Sequence, residues 1–238
     1  MIDLYFATSP NVYKVAIALE EMALPYRIVP VDLSQGVHRD SAQLAGANTG
    51  KVPVIVDHDP PDGGAPFTVF ESGAILQYLA EKSGLFLPKD LRGRSTVMQW
   101  LFWQMGGIGP IGGQAWHFFA FAPKIAPEFD NSYAFDRYFK MWSALWRVLD
   151  DQLSDHAYIA GDYSVADMAT FPWISYLEPR EGTEAYSNVL RWRDAIAARP
   201  AVRRAYEKAA ATDFGYDRNE KGVTLFPWEG LLQNVIVT

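Results

Sequence analysis

The first third of the chain separates strands from helices by the spacing of its apolar positions. Ile2–Phe6 is a short apolar run, and it ends in Ala7-Thr8-Ser9-Pro10-Asn11, a turn carrying two hydroxyls, a proline and an amide. Beyond it Val15, Ala16, Leu19 and Met22 recur at three- and four-residue spacing. That spacing predicts a helix with these residues inside and Glu20-Glu21 outside. Residues 26–31 read as a second strand, so the crossover through the helix forms a βαβ unit with parallel strands. A polar loop, 32–39, and a short helical segment at 42–45 follow. Residues 52–56 and Phe67–Phe70 are two further apolar runs, joined by a Pro/Gly-rich turn and read as a hairpin. A helix opens at Glu71-Ser72, with Ile75, Leu76 and Leu79 buried and Gln77, Glu81 and Lys82 pointing outward.

Two features of this region suggest a binding site. A proline at a strand start removes a ladder hydrogen bond and is tolerated only at an edge or a first residue. A cis peptide at Val52-Pro53 would turn the Val52 amide and carbonyl sideways, toward an extended peptide ligand. At Glu71-Ser72 a carboxylate, a hydroxyl and backbone N–H groups gather at a helix N-terminus, a place that attracts carboxylates. Together they fit a short peptide carrying an ammonium and carboxylates. The plainer alternatives are a strand start at Pro53 and an ordinary cap at Glu71-Ser72.

From residue 93 onward the long segments have helical period. Residues 130–153 are the clearest case, with Phe135, Phe139, Trp142, Leu145, Trp146, Leu149 and Leu153 three or four apart. Between them and the first third lies 85–92 (LFLPKDLR), read as a linker. Ser164-Val165-Ala166-Asp167 predicts a capped helix start, in which serine and aspartate act reciprocally and structurally. The run Gly106-Gly107-Ile108-Gly109-Pro110-Ile111-Gly112-Gly113 is costly in a helix and implies a bend or a close approach. It makes room either for a ligand or for tight packing. Trp116, Phe118 and Phe119 after it wall an apolar site or belong to the core.

Composition narrows the function. The chain of 238 residues fits two compact domains, and its net charge of −7 without a dense Lys/Arg cluster speaks against nucleic acid. It shows neither an apolar run of membrane-spanning length nor a signal-peptide start, which leads to the expectation of a cytoplasmic protein. There are no cysteines, and the four histidines (His38, His58, His117, His156) lack ligand spacing. No metal is therefore expected. Sulfur chemistry would need sulfur brought by a ligand.

The order β-α-β-α-β-β-α, with proline opening the third strand and Glu-Ser opening the last helix, resembles the thioredoxin-like domain of the glutathione transferases. Residues 161–167, GDYSVAD, are similar to the G-x-x-[ST]-x-A-D signature of that family's helical domain. The resemblance implies an α/β plus all-α protein: a thioredoxin-like glutathione-binding domain at 1–83, a linker at 84–92 and an all-helical domain at 93–212. Residues 213–238 are too apolar for a free tail and are expected to pack on the helical domain.

Within the family the chain is most similar to the Nu class, glutathione-dependent disulfide-bond oxidoreductases. The segments that carry this are 1–7 with Pro10-Asn11, 55–58, 70–76 and 99–104 with the glycine run after it. The resemblance implies glutathione as co-substrate, bound as two reduced units or one oxidised pair, and a homodimer.

By position, Ser9 matches the hydroxyl that serves the thiol, with Thr8 as the alternative, and Asn11 matches the amide. Asn11 also suits a helix cap. Val52 with Pro53 would pair with the cysteinyl backbone, and Glu71 and Ser72 would hold the γ-glutamyl end. Lys51 and His38 would reach the glycyl carboxylate, and Arg137 a second glutathione; the alternative for all three is a solvated charge. The partner would be a small disulfide. The competing readings are thiolate attack on an electrophile, and glutathione binding without turnover.

Overall fold

The computed structural model describes residues 1–33, 36, 40–175 and 183–213. His38 and residues 214–238 lie outside them. The described chain falls into two compact units: Met1–Arg94 joined by the chain from Ala197 to Asp213, and Ser95–Ile196.

The first unit is built on a four-stranded sheet of order β2-β1-β3-β4, with β1 Ile2–Phe6, β2 Tyr26–Pro30, β3 Val54–Asp57 and β4 Phe67–Phe70. β1 and β2 are parallel, joined through helix α1, Pro10–Glu21. β3 runs antiparallel to β1, and β4 antiparallel to β3. The third strand begins at Val54, two residues later than the apolar run; Pro53, which has no N–H to give to a ladder, follows Val52 through a cis peptide. The expected helical segment at 42–45 is a single 3₁₀ turn, Ser41–Leu44, capped by the Asp40 carboxylate.

Helix α2, Ser72–Ser83, and helix α9, Pro200–Ala211, both pack on α1. Covered on more than one side, α1 is buried from Lys14 to Leu19 without a break. This overturns the outward placement of Glu20-Glu21. Arg199 donates from Nε and Nη2 to Glu21 at 2.6 and 2.9 Å, and Arg204 Nε donates to Glu20 at 2.9 Å. The Tyr13 ring of α1 stacks on Tyr206 of α9 with centroids 4.2 Å apart.

Lys82 is likewise turned inward. Its ammonium lies 2.7 Å from Asp57 Oδ2 and donates to the Asp59 carbonyl, while Tyr78 donates to the same Asp57 oxygen at 2.7 Å. The cause is the fully buried Asp57 at the end of β3, whose carboxylate must be compensated.

The second unit is helical: α3 Leu91–Trp103 from Ser95 on, α4 Gly109–Trp116, α5 Ala122–Ile125, α6 Ser132–Ser154, α7 Val165–Thr170 and α8 Ser187–Ala197 as far as Ile196. Two π-helical segments, Gln104–Ile108 and His117–Phe121, join α3, α4 and α5 into one continuous run. The glycines are needed where that run meets α6. A Cβ at Gly112 would stand 2.8 Å from Trp142 Nε1 and 3.3 Å from Trp173 Cε3. Around it Phe119 packs on Phe135, and Phe118 stacks on Tyr138.

The Ser164–Asp167 capping box forms as expected. Asp167 also accepts from the Ile159 amide at 3.0 Å and the Trp192 indole at 2.7 Å. Among the described residues no helix is long and apolar enough to cross a membrane.

Candidate functional site

Strand register brings the candidate residues of the first unit to one end of the sheet. Tyr5 pairs with Val54, and Val54 with Phe70, so these three stand in line across β1, β3 and β4. Continuing past that line, β1 leads to Thr8 and Ser9, β4 leads to Glu71 and Ser72, and Val52–Pro53 immediately precedes Val54. Adjacent strands lie ~4.8 Å apart, so β1 and β4 are about 10 Å apart here. An extended tripeptide spans about 10 Å. The edge thus has the width of such a ligand.

Ser9 is the N-cap of α1, with extended backbone at φ −157°, and its Oγ accepts from the Val12 amide at 3.4 Å. As the acceptor of that bond, the hydroxyl keeps its own proton for donation to another group. Pro10 and Asn11 form the first two helical positions, where a fixed φ and a missing N–H do no harm. Thr8, Ser9 and Asn11 are all half-buried. A helix N-terminus carries partial positive charge, so an anion at this turn is stabilised by the dipole as well as by the hydroxyl.

At the other side of the edge, Glu71 caps α2 with its backbone carbonyl, which accepts from the Ile75 amide at 2.9 Å. Its side chain makes no capping bond and is exposed. Its φ of +68° is the left-handed region, which a residue with a Cβ enters rarely. Ser72, the first helical residue, is buried. Between the two helix starts, Val52 is half-buried, Pro53 buried and Lys51 exposed. Arg137 is exposed on α6, in the second unit. Among the described residues no group of three His, Asp or Glu side chains could hold a metal ion.

One residue of this region was missed by periodicity. Lys14 lies on α1 with no exposed surface, and burial pulls its ammonium down to about 7, against the opposing pull of the Glu71 carboxylate. A lysine set directly before the unbroken apolar run 15–19 is the signal that could have found it, since a helix apolar on all sides is buried on all sides.

The descriptions "Glutathione S-transferase, N-terminal domain" and "Glutathione S-transferase, C-terminal domain" match residues 8–82 and 116–200. The chain belongs to the glutathione transferase family. It is 44% identical over 215 residues to the disulfide-bond oxidoreductase YfcG of Escherichia coli, covering 90% of this chain and 98% of that one. Among solved structures, a glutathione transferase family member from Pseudomonas fluorescens with two glutathione bound is similar at TM-score 0.79 and 38% identity, over 87% of this chain and 92% of that one. A glutathione transferase from Pseudomonas putida, with one glutathione disulfide bound per subunit, is similar at TM-score 0.77 and 38% identity, over 86% and 90%. The thioredoxin-like sheet and the helical unit are the two halves of the family's fold.

Proposed function

We propose that this glutathione transferase is a glutathione-dependent disulfide-bond oxidoreductase that works with ligand sulfur alone. The observation that carries the reading is the hydroxyl-bearing N-terminus of α1, set at the same sheet end as Val52–Pro53 and Glu71-Ser72 in a chain without cysteine. A thioredoxin-like domain with its own thiols would carry them at this turn. Here a bound glutathione thiol stands in their place.

The reactive species is the thiolate. Lowering a thiol from about 8.5 to ~6.5 requires about 2.7 kcal/mol of preferential stabilisation of the anion. One charge-assisted hydrogen bond from Ser9, with Asn11 and the helix dipole, is sufficient in magnitude. Thr8 is the second hydroxyl within the turn. The first thiolate attacks one sulfur of the disulfide, forms a mixed disulfide and releases the other half as a thiolate. A second glutathione thiolate attacks the glutathione sulfur of that mixed disulfide, giving oxidised glutathione and a second leaving thiolate. Two electrons pass from two glutathiones to one disulfide, and the protein gains and loses none.

In this reading the Val52 backbone pairs with the cysteinyl residue, Glu71 takes the γ-glutamyl ammonium and Ser72 its carboxylate. Lys51 and His38 meet the glycyl carboxylate, and Arg137 serves the second glutathione. The similarity to proteins solved with two glutathiones, or with one glutathione disulfide, supports the stoichiometry. We infer also a cytoplasmic homodimer with domains at 1–83 and 93–212.

The deciding experiment is turnover of 2-hydroxyethyl disulfide with reduced glutathione, alongside calorimetric binding of reduced and oxidised glutathione. Turnover with two reduced or one oxidised ligand per chain is expected. Conjugation of an aryl halide without disulfide turnover would make the protein an ordinary transferase, and binding without either activity would make it a carrier.

A further inference from the structure

The turn that meets the bound sulfur has to be aimed as well as built. A helix start that faces a ligand is bare on that side, so its direction is set by what packs on the residues behind it. A misplacement of about 1 Å costs a reaction about a hundredfold in rate. Behind Ser9 stand three aromatic rings in series: Phe6, Tyr13 and Tyr206.

Phe6 ends β1 and is the fixed member. It has no exposed surface, and its carbonyl accepts from the Val31 amide at 2.8 Å. Tyr13 is the fourth residue of α1, and its amide donates to the Ser9 carbonyl at 3.1 Å, closing the first helical turn on the residue that serves the thiol. The Tyr13 ring meets Phe6 edge to face, with centroids 5.4 Å apart and planes at 88°. The two residues that bracket 7–12 therefore touch through their rings, as well as being joined by the backbone between them.

Tyr13 is only half-buried, and a ring open to water changes rotamer readily. Tyr206 covers a face of it, with centroids 4.2 Å apart and planes at 15°. Tyr206 is the one aromatic residue of α9, whose buried positions are Ala201, Val202, Ala205 and Ala209. Such small side chains let α9 come close to α1, and the ring supplies the grip near the helix start. The charged contacts of α9 are elsewhere: Arg199 and Arg204 hold Glu21 and Glu20, about 10–12 Å along the axis from Tyr13.

We propose that Tyr206 is a positioning residue of the thiol turn: its ring holds the Tyr13 ring against Phe6 and so fixes the direction in which Ser9 and the α1 N-terminus face the bound sulfur. The inference rests on Ser9 and that N-terminus stabilising the glutathione thiolate. A hydrogen bond to an anion and a helix dipole both weaken when the donor turns away, so loss of the stack raises the bound thiol toward its free value near 8.5. The contacts of the tripeptide at Val52, Glu71 and Ser72 do not pass through Tyr206, so its affinity is spared.

The test reads the ionisation of bound glutathione directly, from the ultraviolet absorbance of the thiolate between about pH 5 and about pH 10, beside the kcat for 2-hydroxyethyl disulfide. Tyr206→Leu should raise the midpoint by about one unit. It should lower kcat at neutral pH about threefold to tenfold, the smaller figure allowing for the greater nucleophilicity of a more basic thiolate. Calorimetric affinity for S-methylglutathione, whose sulfur has no proton to lose, should stay within about twofold of wild type. Tyr206→Phe keeps the ring and should restore both midpoint and kcat. Arg199→Met loosens the same helix pair at its other end, and should melt lower while keeping the wild-type midpoint. If the leucine variant does not fold, Tyr206→Met fills the space without a ring and is read in the same way.

An unshifted midpoint and kcat in the ringless variant overturn the proposal. So does Arg199→Met moving the midpoint as far as Tyr206→Leu, which would make the effect a general loosening of α9. Tyr206→Phe behaving like the leucine variant would put the role on the hydroxyl and overturn the stacking mechanism. Each of these leaves the functional reading intact. Wild-type protein that binds no glutathione, or binds it with the thiol titrating as it does free in water, overturns that reading itself.

Discussion

Arg199 grips Glu21 with two parallel hydrogen bonds of 2.6 and 2.9 Å, tying the residue before α9 to the last residue of α1. The Glu21 side chain is only 6% exposed, so the pair is largely shielded from water. Charge-assisted bonds in such a setting are worth about 1.5–3 kcal/mol. Arg199→Met should therefore lower the urea stability of the protein by an amount in that range. The effect should be smaller when Glu21 is already Gln, which a double-mutant cycle would measure; equal losses in both backgrounds would dissociate the two residues.

Ser9 joins stability to chemistry, because the oxygen that accepts from the Val12 amide belongs to the hydroxyl proposed to donate to the thiolate. Ser9→Ala should cost about 1 kcal/mol of stability as a lost N-cap. It should also reduce disulfide turnover about tenfold to a hundredfold, corresponding to roughly 1.4–2.7 kcal/mol in the barrier. Ser9→Thr should retain both properties, and Thr8→Val should spare turnover. If Thr8→Val abolishes activity and Ser9→Ala does not, the two hydroxyls exchange roles.

Asp57 gives the sheet an acid-sensitive latch. Burial raises its carboxyl, and the Lys82 and Tyr78 bonds with the Asp59 amide outweigh that, leaving it below the usual carboxylate range. A carboxyl depressed in the folded state stabilises above its unfolded value near 3.9, and that contribution is lost as pH falls through the folded value. Asp57→Asn should destabilise by about 1–3 kcal/mol at pH 7. The gap to wild type should close below pH 4, and melting curves recorded from pH 2 to pH 7 would show whether it does.

Two glycines of one run should respond differently to a methyl group. Around Gly106 there is nothing within 4 Å of a new Cβ, so Gly106→Ala should stabilise by up to about 1 kcal/mol through helix propensity. At Gly112 the same atom would meet the Trp142 indole at 2.8 Å. Overpacking of that kind costs about 1–3 kcal/mol, so Gly112→Ala should be neutral to destabilising. Thermal melts of the two variants decide it, and a stabilised Gly112→Ala would contradict the packing described.

The periodic features were the legible ones. β1, α1, the hairpin and the long amphipathic α6 follow from spacing alone, and the capping box at Ser164 and Asp167 follows from local chemistry. Illegible were the charges whose partners come from far along the chain. Glu21 and Lys82 have the spacing of solvated helix faces, but Arg199 covers one and Asp57 captures the other. Lys14 went unread for a related reason, since its burial depends on helices packed on α1 from elsewhere in the chain. At the candidate site, the turn, the proline and the Glu-Ser pair were visible in sequence. Their alignment at one sheet end depends on the register Tyr5–Val54–Phe70, a long-range pairing that no local pattern specifies.

The packing of α9 on α1 also orders events during synthesis. The strands and helices of the first unit leave the ribosome early, but one flank of α1 stays uncovered until residues beyond 197 emerge, about a hundred positions later. At ordinary translation rates that interval is on the order of ten seconds. A nascent chain with its oldest segment waiting for its youngest presents bare apolar surface throughout that interval, and a chaperone has that long to bind it.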